Sequence, residues 1–431
     1  MDPDGARRSA PPRQQLRPGV LITAARLVTA EGEGAPVPGG YLEIADGVIG
    51  SVGTGVPPSE PDIELPDGYL LPGFVDLQVN GYFGEDLQAV DEAGWTAVAG
   101  GLPSTGTTSF LPTLITAPLD RLAADLQAAA VIVPGLPAGG ARVLGVHLEG
   151  PFLSPLRRGA HNEAWLTDPT PAAVDALIQA AGGLLRLVTL APERPGALQA
   201  IDRLVAAGVL ASVGHSDATA AQVAAAAEHG ARMVTHLFNA QRPLAHREPG
   251  VVGQALTDGR LTSGLIADLH HVAGAVCALA FRAAPGRIAL VTDAAAAAGM
   301  PPGEYLLGGE AVTLPPADGA PPVRADGTLA GSALRMDRAV ANMVAEGVSL
   351  AEAVTAATRI PADLIGRPDL GRLAPGAAAD LVWLSPDLTT RAAWVGGEVV
   401  FTDGAAATLA TVPTGPLLGA TFRWGTRPAR R

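Results

Sequence analysis

Eight short apolar runs, almost all with a polar residue at their end, alternate with alanine-rich windows through the middle of this 431-residue chain. They are FVDLQVN (74–80), TSFLPTLI (108–115), VLGVHLEG (143–150), LLRLVTLAPE (184–193), LASVGHS (210–216), MVTHLFN (233–239), GLIADLHH (264–271) and RIALVTDA (287–294). Short apolar runs bounded by turn formers read as buried strands, whereas RLAADLQAAA, AAVDALIQAA, ALQAIDRLVAAG and AAQVAAAAEHG carry helical spacing. Eight such alternations predict an α/β fold, a (β/α)8 TIM-like barrel, over residues 73–370. In that fold the strand ends share one mouth, where active sites are built. There the chain offers Gln78 and Asn80, Glu149, Glu193, His215, His236 and Asn239, Asp268, His270 and His271, and Asp293, and all eight histidines lie between His147 and His271.

Outside the barrel the pattern changes to β-branched runs broken by Gly and Pro, at 19–72 and again at 371–403. The two ends are predicted to share one small flanking β-sandwich. Residues 1–18, rich in Pro, Arg and Gln, read as a disordered tail, and 404–431 show no period and receive no assignment.

Composition narrows the chemistry. The 29 basic residues are all arginine. With no lysine there is no Schiff base, no phosphate-loop lysine and no metal pair bridged by a modified lysine. A net charge of −13 argues against nucleic acid or an anionic membrane as partner. The single cysteine, Cys277, sits in an apolar helical window and reads as core. A lone cysteine and the lack of a signal-peptide pattern together point to the cytoplasm.

The segments HLEGPFLSPLRRGAHN, VGHSDAT, THLFNAQRPLAHREPG, LVTDAAAAAG and GTLAGSALRM resemble the N-acetylglucosamine-6-phosphate deacetylase family of the amidohydrolase superfamily, over about residues 20 to 403. The resemblance implies a (β/α)8 barrel with a flanking β-sandwich and hydrolysis of an acetamide. One carboxylate and two imidazoles at the ends of the third, fifth and sixth strands, Glu149, His215 and His236, leave a fourth coordination position open, as at catalytic zinc sites. They match the family's metal ligands, for one divalent ion, zinc with iron, manganese or cobalt as alternatives. Many amidohydrolases carry His-x-His on strand one; here Gln78-x-Asn80 stands there, and carboxamides are weak ligands. The single-metal subgroup is therefore implied, with Gln78 and Asn80 as supporting residues and a second ion bridged by Glu149 as the alternative.

Asp293 is the candidate proton carrier, taking a proton from water and delivering it to the departing amine; it could also cap the helix that follows. His271 matches the family histidine that polarises the carbonyl, with His270 as second choice. For substrate, the resemblance carries Ala160, His161, Asn239, Ala240, Arg247, His271, Leu329, Ala330 and Gly331 onto sugar and phosphate contacts. Arg247 would hold phosphate, with the family implying a reach into the neighbouring subunit's site of a homodimer, unless a salt bridge to Glu248 occupies it. His147 reads as packing behind Glu149, and His229 and His246 as surface residues. The expected substrate is an amino-sugar phosphate; another acetamido sugar, or a non-catalytic sugar-phosphate-binding barrel, are the alternatives.

Overall fold

The computed structural model describes residues 19–31, 35–317 and 319–404. The expectations for 1–18 and 405–431 lie outside these residues. Eight parallel strands appear where the apolar runs place them: Phe74–Val79, Thr107–Ile115, Val146–Glu149, Leu185–Leu190, Leu210–Val213, Met233–Val234, Thr262–Ile266 and Ile288–Val291. Each is hydrogen-bonded to the next in chain order, from the first to the eighth. The backbones of the first and eighth are paired at one isolated bridge, Val79 to Ala294.

Helices return the chain between strands, among them Leu119–Ile132, Pro171–Ala180, Ala197–Ala206 and Ala220–Glu228, on the alanine-rich windows. Side-chain caps start several of them. Thr170 accepts from the Ala173 N–H, and Thr219 forms a capping box with Gln222. The alanines that face inward, such as Ala226, Ala227 and Ala280, are buried and let the helices lie close on the barrel. Cys277 is buried on Gly274–Ala283, and burial pushes its thiol up to about 12, so it is inert core as expected.

The chain ends meet in one continuous eight-stranded sheet, in which Tyr69–Pro72 pairs antiparallel with Leu381–Leu384. Ile22, Leu42, Leu70, Trp383 and Trp394 form an apolar cluster there, separate from that of the barrel. Arg142 and Asp380 tie this sheet to the barrel through two hydrogen bonds of 3.0 Å.

After the eighth strand comes a hairpin, Gly303–Leu307 with Glu310–Leu314, that sequence reasoning missed. Its signal is legible: LLGGEAV places Gly308 and Gly309, with φ of 62° and 80°, in a two-residue turn. The hairpin leans over the barrel mouth, where Arg324 from the chain just beyond donates to the Ala160 carbonyl and pairs with Glu310. Among the described residues no helix is long and apolar enough to cross a membrane.

Candidate active site

Four polar residues each follow the last residue of their strand by two positions: His215 after Val213, His236 after Val234, Asp268 after Ile266 and Asp293 after Val291. Ser212 and Thr235 meet inside the barrel, so strand alternation alone would turn His215 and His236 away from it. Glu149 is itself the last residue of its strand. His215, His236 and Asp293 adopt φ of 46°, 29° and 52°, a left-handed turn that folds each side chain over the mouth. Non-glycine residues hold that conformation only where neighbours over-determine it, and they concentrate at functional sites. Gly159 leaves room for one of them: a Cβ there would stand 3.1 Å from the His215 ring.

Glu149, His215 and His236 converge in the interior. His236 Nε2 lies 2.9 Å from Glu149 Oε1 and 3.0 Å from His215 Nε2, and His215 Nε2 lies 3.2 Å from the same carboxylate oxygen. The Nδ1 of His215 donates to the Arg157 carbonyl at 2.9 Å, which leaves its Nε2 as a lone pair aimed at the cluster. Although burial disfavours its charge, the His215 and His236 imidazoles set against it hold the Glu149 carboxyl well below the usual range. Two facing imidazole nitrogens and a carboxylate, all buried, form a donor set that fits a divalent ion.

Asp293 stands beside them. Its Oδ1 accepts from Asn80 Nδ2 at 2.6 Å and from Gln78 Nε2 at 3.1 Å, while Gln78 Nε2 also reaches Glu149 Oε1 at 3.2 Å. Gln78 therefore links the two carboxylates directly. Burial, and then the charge on Glu149, push the Asp293 carboxyl up to about 6. A cleft of about 360 Å³ opens in front, within the usual size of a small-molecule site.

Two further histidines face this cleft. Thr116 holds His161: its backbone N–H donates to Nδ1 at 3.4 Å and its hydroxyl lies 2.8 Å from the same atom. That leaves the Nε2–H turned toward Glu149 Oε2, 3.8 Å away. Burial, followed by the neighbouring His215, pushes the His161 imidazole down to about 3, so it is a neutral donor. His271 Nδ1 is held 2.6 Å from Asp268 Oδ2, and Asp268 Oδ1 accepts the backbone N–H groups of His270 and His271 at 2.9 and 2.8 Å. His271 lines the cleft; His270 is exposed and does not.

The cleft gathers Asn80, Glu149, Ala160, His161, His215, His236, Asn239, Ala240, His271, Asp293, Leu329 and Gly331. Ala330 is buried behind its neighbours. Gly331 has φ of 66°, and a Cβ there would meet the Asp293 carbonyl oxygen at 3.0 Å. Arg247 is not brought to this chain's own cleft; it is exposed on the loop 243–247. Nor does it pair with Glu248, whose Oε1 accepts from the Ala220 and Gly250 N–H groups. His147 lies behind Glu149 between Thr113 and Thr189, His229 pairs with Asp202 at 2.9 Å, and His246 is exposed. Sequence reasoning missed Thr116, the pairing of Asp268 with His271, and Arg157, although Arg157 lies within the LRRGAH segment.

The amidohydrolase family pattern matches residues 69–400. Over 346 residues the chain is 42% identical to N-acetylglucosamine-6-phosphate deacetylase of Bos taurus, covering 77% of this chain and 83% of the relative. The chain belongs to the N-acetylglucosamine-6-phosphate deacetylase family of amidohydrolases. A second family relative, N-acetylgalactosamine-6-phosphate deacetylase of Escherichia coli O157:H7, is 41% identical over 88% of this chain and 98% of its own length. Among solved structures, a variant of the Mycobacterium smegmatis N-acetyl-D-glucosamine-6-phosphate deacetylase in complex with N-acetyl-D-glucosamine-6-phosphate superimposes with a TM-score of 0.83. The two are 38% identical, and the match covers 90% of this chain and all of that one. Membership makes the chain a metal-dependent enzyme of the deacetylase type, and its Glu149, His215 and His236 could hold the ion.

Proposed function

We propose that the chain hydrolyses the acetamide of N-acetylglucosamine 6-phosphate, releasing acetate and glucosamine 6-phosphate. The observation that carries this reading is the placement of the Asp293 carboxylate beside the Glu149, His215 and His236 cluster in one cleft. Glu149, His215 and His236 hold a single divalent ion, zinc by its donor set, with iron, manganese and cobalt accommodated by the same ligands. When bound, such an ion polarises the amide carbonyl and makes water acidic enough to attack at neutral pH.

The chain's own residues do the rest. Both amide donors, Gln78 and Asn80, bind Asp293 Oδ1, so Oδ2 is the oxygen that takes the proton from water and returns it to the leaving nitrogen. His161 and His271 are the donors for the developing oxyanion, with His161 nearer the metal ligands. Ala160, Asn239, Ala240 and the 329–331 turn line the sugar and phosphate subsite, and Arg247 reaches the cleft of a second copy in a homodimer. The enzyme acts in the cytoplasm.

A second reading, N-acetylgalactosamine 6-phosphate as substrate, is favoured by the Escherichia coli relative at 41% identity. Acetate release from the two sugar phosphates, with metal analysis of the purified protein, separates them. If neither is hydrolysed and no divalent ion restores activity, the hydrolase reading fails and a binding barrel remains. Asp293→Asn is expected to keep the ion and lose about 10²- to 10⁴-fold in kcat; near-normal turnover would remove Asp293 from the mechanism.

A further inference from the structure

No backbone ladder closes this barrel. The first and eighth strands join at one isolated bridge, Val79 to Ala294; beside it side chains fill the seam, among them Asp76, fully buried on the first strand and used by no catalytic step. Asp76 Oδ1 accepts the backbone N–H of Gln78 and that of Thr292, each at 3.2 Å, and Oδ2 accepts the Thr292 hydroxyl at 2.6 Å. Immediately above, the Asp293 N–H donates to the Gln78 carbonyl at 2.9 Å, and the Asn80 N–H donates to the Ala294 carbonyl at 2.8 Å. The carboxylate thus stands in for a missing backbone acceptor one residue before Asp293. An apolar residue there would orphan the buried N–H groups of Gln78 and Thr292.

Asp293 has a φ of 52°, which neighbours on both sides must enforce. Ala294 is held by Asn80, and Thr292 by Asp76 and by Ser332, whose hydroxyl donates to the Thr292 carbonyl at 2.6 Å. We propose that Asp76 is a positioning residue for Asp293: by clamping Thr292 across the open seam, it holds the turn that aims the Asp293 carboxylate into the cleft. This rests on the reading of Asp293 as proton carrier. Asp76 contacts neither the substrate cleft nor the three candidate ligands.

The test is a set of variants assayed for kcat, KM, bound metal and thermal midpoint. Thr292→Val removes the hydroxyl at nearly constant volume, and Thr292→Ser restores it. Thr292→Val and Asp76→Asn are expected to lower kcat about tenfold, as supporting hydrogen bonds to active-site groups do, with KM and bound metal unchanged and with Thr292→Ser close to the parent. Wild-type kcat in Thr292→Val overturns the proposal. So does a loss of kcat that merely tracks lost metal or lost folded protein. Should Asp76→Asn fail to fold, the threonine pair decides. Asp293→Asn, run alongside, separates the two claims: if it is inactive while Thr292→Val is unaffected, only the positioning role falls; if it turns over normally, the proton-carrier reading falls and the positioning role with it.

Discussion

The two walls of the barrel mouth are built on opposite principles. On the wall of the third, fifth and sixth strands, Glu149, His215 and His236 crowd together with two imidazole nitrogens face to face at 3.0 Å, a donor set that could hold a metal ion. On the wall of the first and eighth strands, Asp76 and Asp293 take their hydrogen bonds from amide, backbone and hydroxyl donors of the chain itself. One wall offers ligands to an ion, whereas the other is satisfied by the chain's own donors. Damage to the first should therefore abolish metal binding and turnover together, whereas damage to the second should slow turnover with the metal in place.

The strongest test of that contrast is His215→Asn. It replaces an imidazole ligand with a carboxamide too weak to compensate, so metal content and activity should both fall to background. Retention of a full equivalent of metal would show that the first wall does not depend on its ligand set. Next, Gln78→Leu removes the donor shared by Glu149 and Asp293; kcat should drop about 10- to 100-fold with the ion retained. If Gln78→Leu loses the metal instead, the walls are not separable. A smaller effect is expected at Arg247, outside both walls. Arg247→Ala should raise KM for the phosphorylated sugar about tenfold, the scale of one hydrogen bond to a charged group, and leave kcat unchanged. An unaltered KM would exclude it as a phosphate ligand.

The mildest test is stability against pH, where the walls work in opposite directions. Burial pushes His147, behind Glu149, from 6.5 down to about 4, so the unfolded chain binds the extra proton and stability falls as the pH drops through that window. Burial also raises Asp76 from 3.8 to about 7, so the folded chain binds the extra proton and stability rises over much of the same window as the pH drops. Each contributes about 1.4 kcal/mol per pH unit inside its window. Asp76→Asn deletes one of the two opposing slopes, and urea unfolding of the metal-free protein at pH 7 and pH 5 should then show a steeper acid loss than the parent. An unchanged slope would mean that Asp76 does not titrate there.

Much of this site was legible before any fold was known. Glu149, His215, His236 and Asp293 announce themselves because each terminates an apolar run, and a parallel barrel puts all such ends at one mouth. The roles of Asp268 and Thr116 were hidden. Asp268 reads as one more polar strand end until its carboxylate is seen holding His271 Nδ1 and two backbone N–H groups. Thr116 gives no sign that it orients His161, 45 residues away.

The order of strands and helices, the absence of a lysine bridge and the identity of the candidate ligands follow from the sequence alone, because periodicity and side-chain chemistry are local properties. Tertiary structure decided the rest. It set His271 and not His270 in the cleft lining, and it left Arg247 outside its own cleft. It also brought Asp76 to Thr292 across 216 residues to close the barrel at the residue before Asp293. Such contacts join strands at opposite ends of the barrel sequence, and no short-range pattern encodes a hydrogen bond that forms only when the sheet curls back to meet itself.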